Sequence, residues 1–168
     1  MADIVENGAV MDFPRLIGSL PGAPWLPPGS SAEFWAGDDL DIPRPTPIVR
    51  LLVTRGGKEF YCVPTANGLD LPTLFLGTPE GWRLPVDGVA ELCRRILGAP
   101  AETRCIGYVR NIVPEPDESY TLPVPVVNIL VFTPRDPTLE PVAGDGTWVT
   151  EAPDGRHWWP VVREALLG

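Results

Sequence analysis

Histidine and lysine are almost missing from this chain: His157 and Lys58 are the sole examples in 168 residues. One imidazole excludes a metal site built on paired histidines, and one lysine, in a Gly-rich turn, leaves Schiff-base chemistry a single candidate. Cysteine is scarce too. Cys62, Cys93 and Cys105 make no C-x-x-C pair and no even set, so a zinc knuckle and a disulfide framework are both excluded. Positive charge is short, with 13 basic against 22 acidic residues and a net charge of −9. That balance argues against nucleic acid and against anionic membranes as partners. Long apolar runs are absent as well. The longest, residues 122–132, is broken by Pro123, Pro125 and Asn128 and is too short to span a bilayer. The start, MADIVENGAV, has neither a basic region nor an apolar run, so no signal peptide is visible. The expectation is a soluble, reduced, cytoplasmic protein.

Proline is what abounds, 22 residues beside 17 Gly, while 44% hydrophobic content and six Trp provide for a sizeable core. The prolines crowd the first part of the chain, at 24, 27, 28, 43, 45 and 47. Proline blocks both helices and sheet ladders, so residues 1–46 read as an extended arm and 47–168 as the domain. Trp25, Phe34 and Trp35 lie in that arm and need a groove, on the domain or on a second copy in a homodimer.

Regular signals begin at Pro47. PIVRLLVT (47–54) and EFYCV (59–63) flank Arg55-Gly56-Gly57-Lys58 as a hairpin, and Asn67-Gly68 marks another turn. Val86, Val89, Ala90, Cys93, Ile96 and Leu97 recur at helical spacing, with Pro85 at the start and Gly98 at the end. Residues 103–111 and 122–132 read as strands, the second buried on both faces. Asp145-Gly146 is a turn, and a short helix closes the chain from about Trp158 to Leu167.

This order of elements, with a glycine-bounded loop and helix from Gly77 to Gly98, resembles the Nudix family of MutT-like hydrolases. The resemblance covers 47–168 and implies an α/β/α sandwich around a mixed sheet, with the Pro-rich arm added. It also implies Mg²⁺ or Mn²⁺ held by helix carboxylates to bridge a nucleoside diphosphate linkage. The carboxylates are missing. With the bounding glycines in register, Arg83 stands at the family's first Glu, Glu91 at its Arg and Leu92 at the first metal-binding Glu. Arg95 and Ile96 replace the Glu pair. A one-residue slip makes Glu91 the metal carboxylate but turns the pair into Arg94 and Arg95. A hard divalent ion needs several oxygen ligands, which neither register provides.

Whether the chain is an enzyme therefore stays open at this point. The favoured expectation is a domain that binds a nucleotide-like small molecule or a protein, with metal-dependent hydrolysis lost or strongly reduced and no cofactor. Its binding candidates are Arg83, Arg94 and Arg95 as phosphate-neutralising forks, Arg50, Tyr108 and Arg110 as a pocket lining, and Trp82 as a lid. The alternative is a divergent hydrolase using Mg²⁺ or Mn²⁺, with Glu91, Glu115 and Glu118 as the catalytic acids. The plain structural readings stand beside both: Glu91 and Arg95 as a surface i,i+4 pair, 115–118 as an acidic loop, Asp87 as a helix cap, and His157 and the cysteines as packing groups.

Overall fold

The computed structural model describes residues 5–6, 9–10, 12–142 and 144–167. In chain order, β1 (Val5–Glu6) and β2 (Ala9–Val10) form a small hairpin, followed by β3 (Arg15–Pro21), β4 (Ser31–Ala36), β5 (Ile48–Leu51) and β6 (Thr54–Arg55). Next come β7 (Glu59–Thr65), β8 (Gly68–Asp70), β9 (Thr73–Phe75), β10 (Gly77–Thr78) and β11 (Gly81–Trp82). Helix α1 (Pro85–Leu97), β12 (Thr103–Ile112), β13 (Val126–Pro134), β14 (Thr147–Val149) and α2 (Trp159–Leu167) complete the chain.

A six-stranded mixed sheet, ordered β3-β4-β12-β13-β5-β9, is the centre of the molecule, and only β13 and β5 run parallel within it. A smaller sheet joins β14, β7 and β6, with β8 paired to β7. Each face of the large sheet has its own core. Leu92, Cys93 and Ile96 of α1 pack with Val49, Leu51, Leu130 and Phe132, and Trp158, Val161 and Val162 of the C-terminal region pack with Leu52, Val109 and Val131. The result is the expected α/β/α layering. No helix among the described residues is long and apolar enough to cross a membrane.

The extended arm needs correction. β3 and β4 are antiparallel strands of the large sheet, and β4 pairs with β12 from Ser31↔Ile112 to Ala36↔Gly107. Proline does not forbid this, because Pro24, Pro27 and Pro28 sit in the connection and not in the ladders. Along β4 burial alternates, with Ala32, Phe34 and Ala36 inward. Phe34 is buried in the core, and Trp25 and Trp35 pack against the chain's own domain.

Three smaller differences have local causes. The first predicted strand is two: Leu52 and Val53 carry the chain from the large sheet to the small one, where Thr54–Arg55 pairs with Glu59 and Phe60 across the expected turn. The strand expected from Leu122 begins at Val126, after Pro125 has ended the possibility of ladder donors. The buried stripe of α1 is Gly88, Val89, Leu92, Cys93 and Ile96, while Val86 is exposed. Gly88 is where the helix comes closest to the chain beneath it, since a Cβ there would lie 2.5 Å from Leu76 and 3.2 Å from Val49 of β5. Pro85 and Gly98 bound the helix as expected, Gly98 in the left-handed region at φ 79°.

Candidate functional site

A cleft of about 550 Å³ opens where α1 begins. One wall is Ile42 and residues 44–47, the other Trp82, Arg83, Leu84, Pro85 and Val86, and Pro123 also lines it. Backbone bonds fix the walls to each other: Leu76 N–H donates to Pro47 O at 2.8 Å, and Arg83 N–H donates to Leu76 O at 2.8 Å. Asn128 anchors the first wall by donating its main-chain N–H and its side-chain amide to Pro45 O, at 2.9 and 3.2 Å. Proline on both sides restricts the dihedrals of the walls. Trp82 stands half exposed at its edge with its ring against Phe75, centroids 5.5 Å apart. Leu84, the N-cap of α1, has no side chain able to cap the first turn.

Of the residues proposed from the sequence, Trp82 and Arg83 line this cleft. Glu91 lies next to it, in the second turn of the helix, and is clamped. Arg83 Nη2 donates to its Oε1 at 2.8 Å, and Arg95 Nη2 donates to Oε2. The bond from Arg83 holds the Glu91 carboxyl below the usual carboxylate range, and the charges of Arg95 and Arg94 act in the same sense. Arg94 is exposed. Asp87 is also exposed and is not the cap, which is Leu84.

The expected lining by Arg50, Tyr108 and Arg110 divides between the two faces of the sheet. Arg50 points to the α2 side because alternate residues of a strand face opposite ways. There it is buried, donating to Thr73 Oγ1 at 3.0 Å and to Asp70 Oδ1 at 3.4 Å. Tyr108 belongs to the α1-side core, and burial raises its hydroxyl pKa. Arg110 lies over the Trp35 and Tyr108 rings, 5.4 Å from each centroid, and donates from Nε to Asn128 Oδ1 at 2.9 Å. Asn128 therefore links Arg110 to the Pro45 wall. Glu115 and Glu118 are exposed in the loop after β12.

Sequence reasoning missed Arg44 and Asp70. Arg44 is exposed at the cleft and has no ion-pair partner among the described residues. Its signal, an arginine between prolines, was hidden inside the segment read as an arm. Asp70 Oδ1 accepts from Trp158 Nε1 at 2.8 Å and from its neighbour Leu71 N–H, while Oδ2 faces Arg156 at 3.5 Å. His157, beside these groups, stacks on Trp25 at 4.3 Å, and its pKa falls to about 4 through burial and the nearby charges of Arg50 and Arg156. The three cysteines are buried, with the thiols of Cys62 and Cys105 pushed up to about 12 by desolvation.

The helix does not fit the metal that the fold family implies. Leu92 and Ile96 are core residues, Arg94 and Arg95 bring positive charge, and both Glu91 oxygens already accept from guanidinium groups. Among the described residues, no three His, Cys, Asp or Glu side chains gather as a metal-binding group.

By sequence, no protein-family model and no curated protein matches the chain. By structure, it is similar to the Bacillus subtilis pyrophosphohydrolase BsRppH, solved as a point mutant, at 14% identity and a TM-score of 0.50. The match covers 83% of this chain and 91% of that one. The shared architecture defines the class: a Nudix-like fold. That likeness extends to the fold alone.

Proposed function

We propose that this protein is a Nudix-like binding domain whose cleft takes a nucleotide-like small molecule, with metal-dependent hydrolysis lost or strongly reduced. The observation that carries this reading is the double clamp by Arg83 and Arg95 on Glu91, the helix acid that a one-residue slip brings to a metal-binding position. Metal binding there would have to break both ion pairs and bring an ion into a field set by three arginines. The cleft beside the clamp offers what binding needs: apolar walls, an exposed indole for stacking, and the Arg44 guanidinium for an anion. Turnover by the alternative route would require Glu115 or Glu118 to supply the ligands that the helix lacks, and both stand in an exposed loop.

Calorimetric titration of AMP and ADP, with and without EDTA, tests the reading. Binding that persists in EDTA and weakens about tenfold in Trp82→Ala is the expected result, a loss of about 1.4 kcal/mol. Binding that appears only with Mg²⁺ or Mn²⁺ would overturn it.

A further inference from the structure

The charge inventory of the cleft narrows what it can hold. The chain carries −9 overall, yet among the described residues no carboxylate lines this cleft, and the charged ones that do are Arg44 and Arg83. Arg83 is already committed, its Nη2 on Glu91 at 2.8 Å. Arg44 is the lining cation without an ion-pair partner among the described residues. The remaining lining is largely apolar, from Ile42, Pro45, Pro47, Leu84 and Val86 to the exposed indole of Trp82.

We infer that the cleft selects a compact ligand with one anionic group, a phosphate monoester or a carboxylate, on an aromatic or aliphatic body, and disfavours polyphosphates. This rests on the cleft being the binding site and adds the ligand's charge and polarity. One guanidinium satisfies one oxyanion through paired N–H donors, and the apolar walls are filled by an uncharged body. Each further phosphoryl group would enter without a cation of its own. The helix cannot recruit a divalent ion to supply one, and the net negative field opposes the added charge. The proline-bounded walls keep the ordering cost of such a small ligand low.

The test is a charge series in metal-free buffer: naphthol, naphthyl phosphate, naphthoate, AMP, ADP and ATP, each titrated into the full-length protein. The expected result has naphthyl phosphate and naphthoate binding about tenfold more tightly than naphthol, with affinity falling from AMP to ATP. Arg44→Gln should bring naphthyl phosphate to the naphthol level, and Trp82→Ala should weaken every probe. Both side chains are exposed, and equal melting temperatures establish that the variants fold; if Trp82→Ala does not, Arg44→Gln decides alone. Affinity that rises from AMP to ATP would overturn the one-anion selection and leave the cleft as the site. Absence of binding by every probe, or binding indifferent to both substitutions, would overturn the selection and the proposed function together.

Discussion

Asp70 and Glu91 are both carboxylates held by two arginines, on opposite sides of the same sheet. Asp70 is gripped by Arg50 and Arg156, which come from β5 and from the segment before α2, and by the Trp158 indole. Glu91 is gripped by Arg83 and Arg95, from its own helix and the loop that leads into it. The first arrangement ties distant parts of the chain together where water is largely excluded. The second is local and wet, and it neutralises a helix position at which the Nudix resemblance implies chemistry. Equal partners thus serve different ends, and burial decides which: an uncompensated charge costs much in the interior and little at the surface.

The largest expected effect is therefore at Asp70. Asp70→Asn keeps an acceptor for Trp158 but leaves Arg50 buried beside Arg156 without a counter-charge, so stability should drop by about 3 kcal/mol in a denaturant titration. A drop under about 1 kcal/mol would break the comparison by showing the α2-side cluster to be as dispensable as a surface pair.

Next comes pH. His157 has an ordinary pKa near 6.5 and a folded value of about 4. Between those values the unfolded chain binds a proton that the folded chain does not, so stability should fall as pH drops from 6.5 to 4. The slope from this group is at most about 1.4 kcal/mol per pH unit, and its contribution stays constant above the window. Melting temperatures measured across that range check it, and His157→Gln should flatten the profile.

Trp25→Ala sharpens the same point at smaller cost. It removes the ring stacked on His157 and the Nε1–H donor to Asn111, for about 1–2 kcal/mol at a half-buried site. By admitting water to His157 it should also shrink the pH-dependent loss. Smallest of all is Glu91→Gln, whose melting temperature should fall within the scatter of repeat wild-type measurements, as expected where two solvated ion pairs are removed.

What was legible in the sequence was local. The helix from Pro85 to Gly98, the Gly56-Gly57 turn and the strands around Tyr108 and Leu130 carry their own periodicity and punctuation. β3 and β4 were hidden because proline count outweighed pattern, although Ala32, Phe34 and Ala36 alternate as a half-buried strand should. In the candidate site, Arg83 is legible through the spacing of Gly77 and Gly98, and Trp82 as an aromatic beside Gly81. Arg44 has no such signal, because the prolines around it read as an arm. The Asp70 cluster has no local signal, since Arg50 lies 20 and Trp158 lies 88 residues away and the fold assembles them.

The central claim, that a clamped Glu91 beside a binding cleft stands where the family has metal-bearing helix carboxylates, is tested most directly by turnover. ADP-ribose, dinucleotides and oxidised nucleoside triphosphates would be offered with Mg²⁺ and with Mn²⁺ to the wild type, to Glu91→Gln and to a Glu115→Gln/Glu118→Gln double variant. Without a metal bridge on the diphosphate, a rate loss on the order of a thousandfold or more is expected. All three proteins should then release nucleoside monophosphate no faster than buffer containing the same metal. Robust metal-dependent turnover by the wild type that vanishes in either variant would contradict the account.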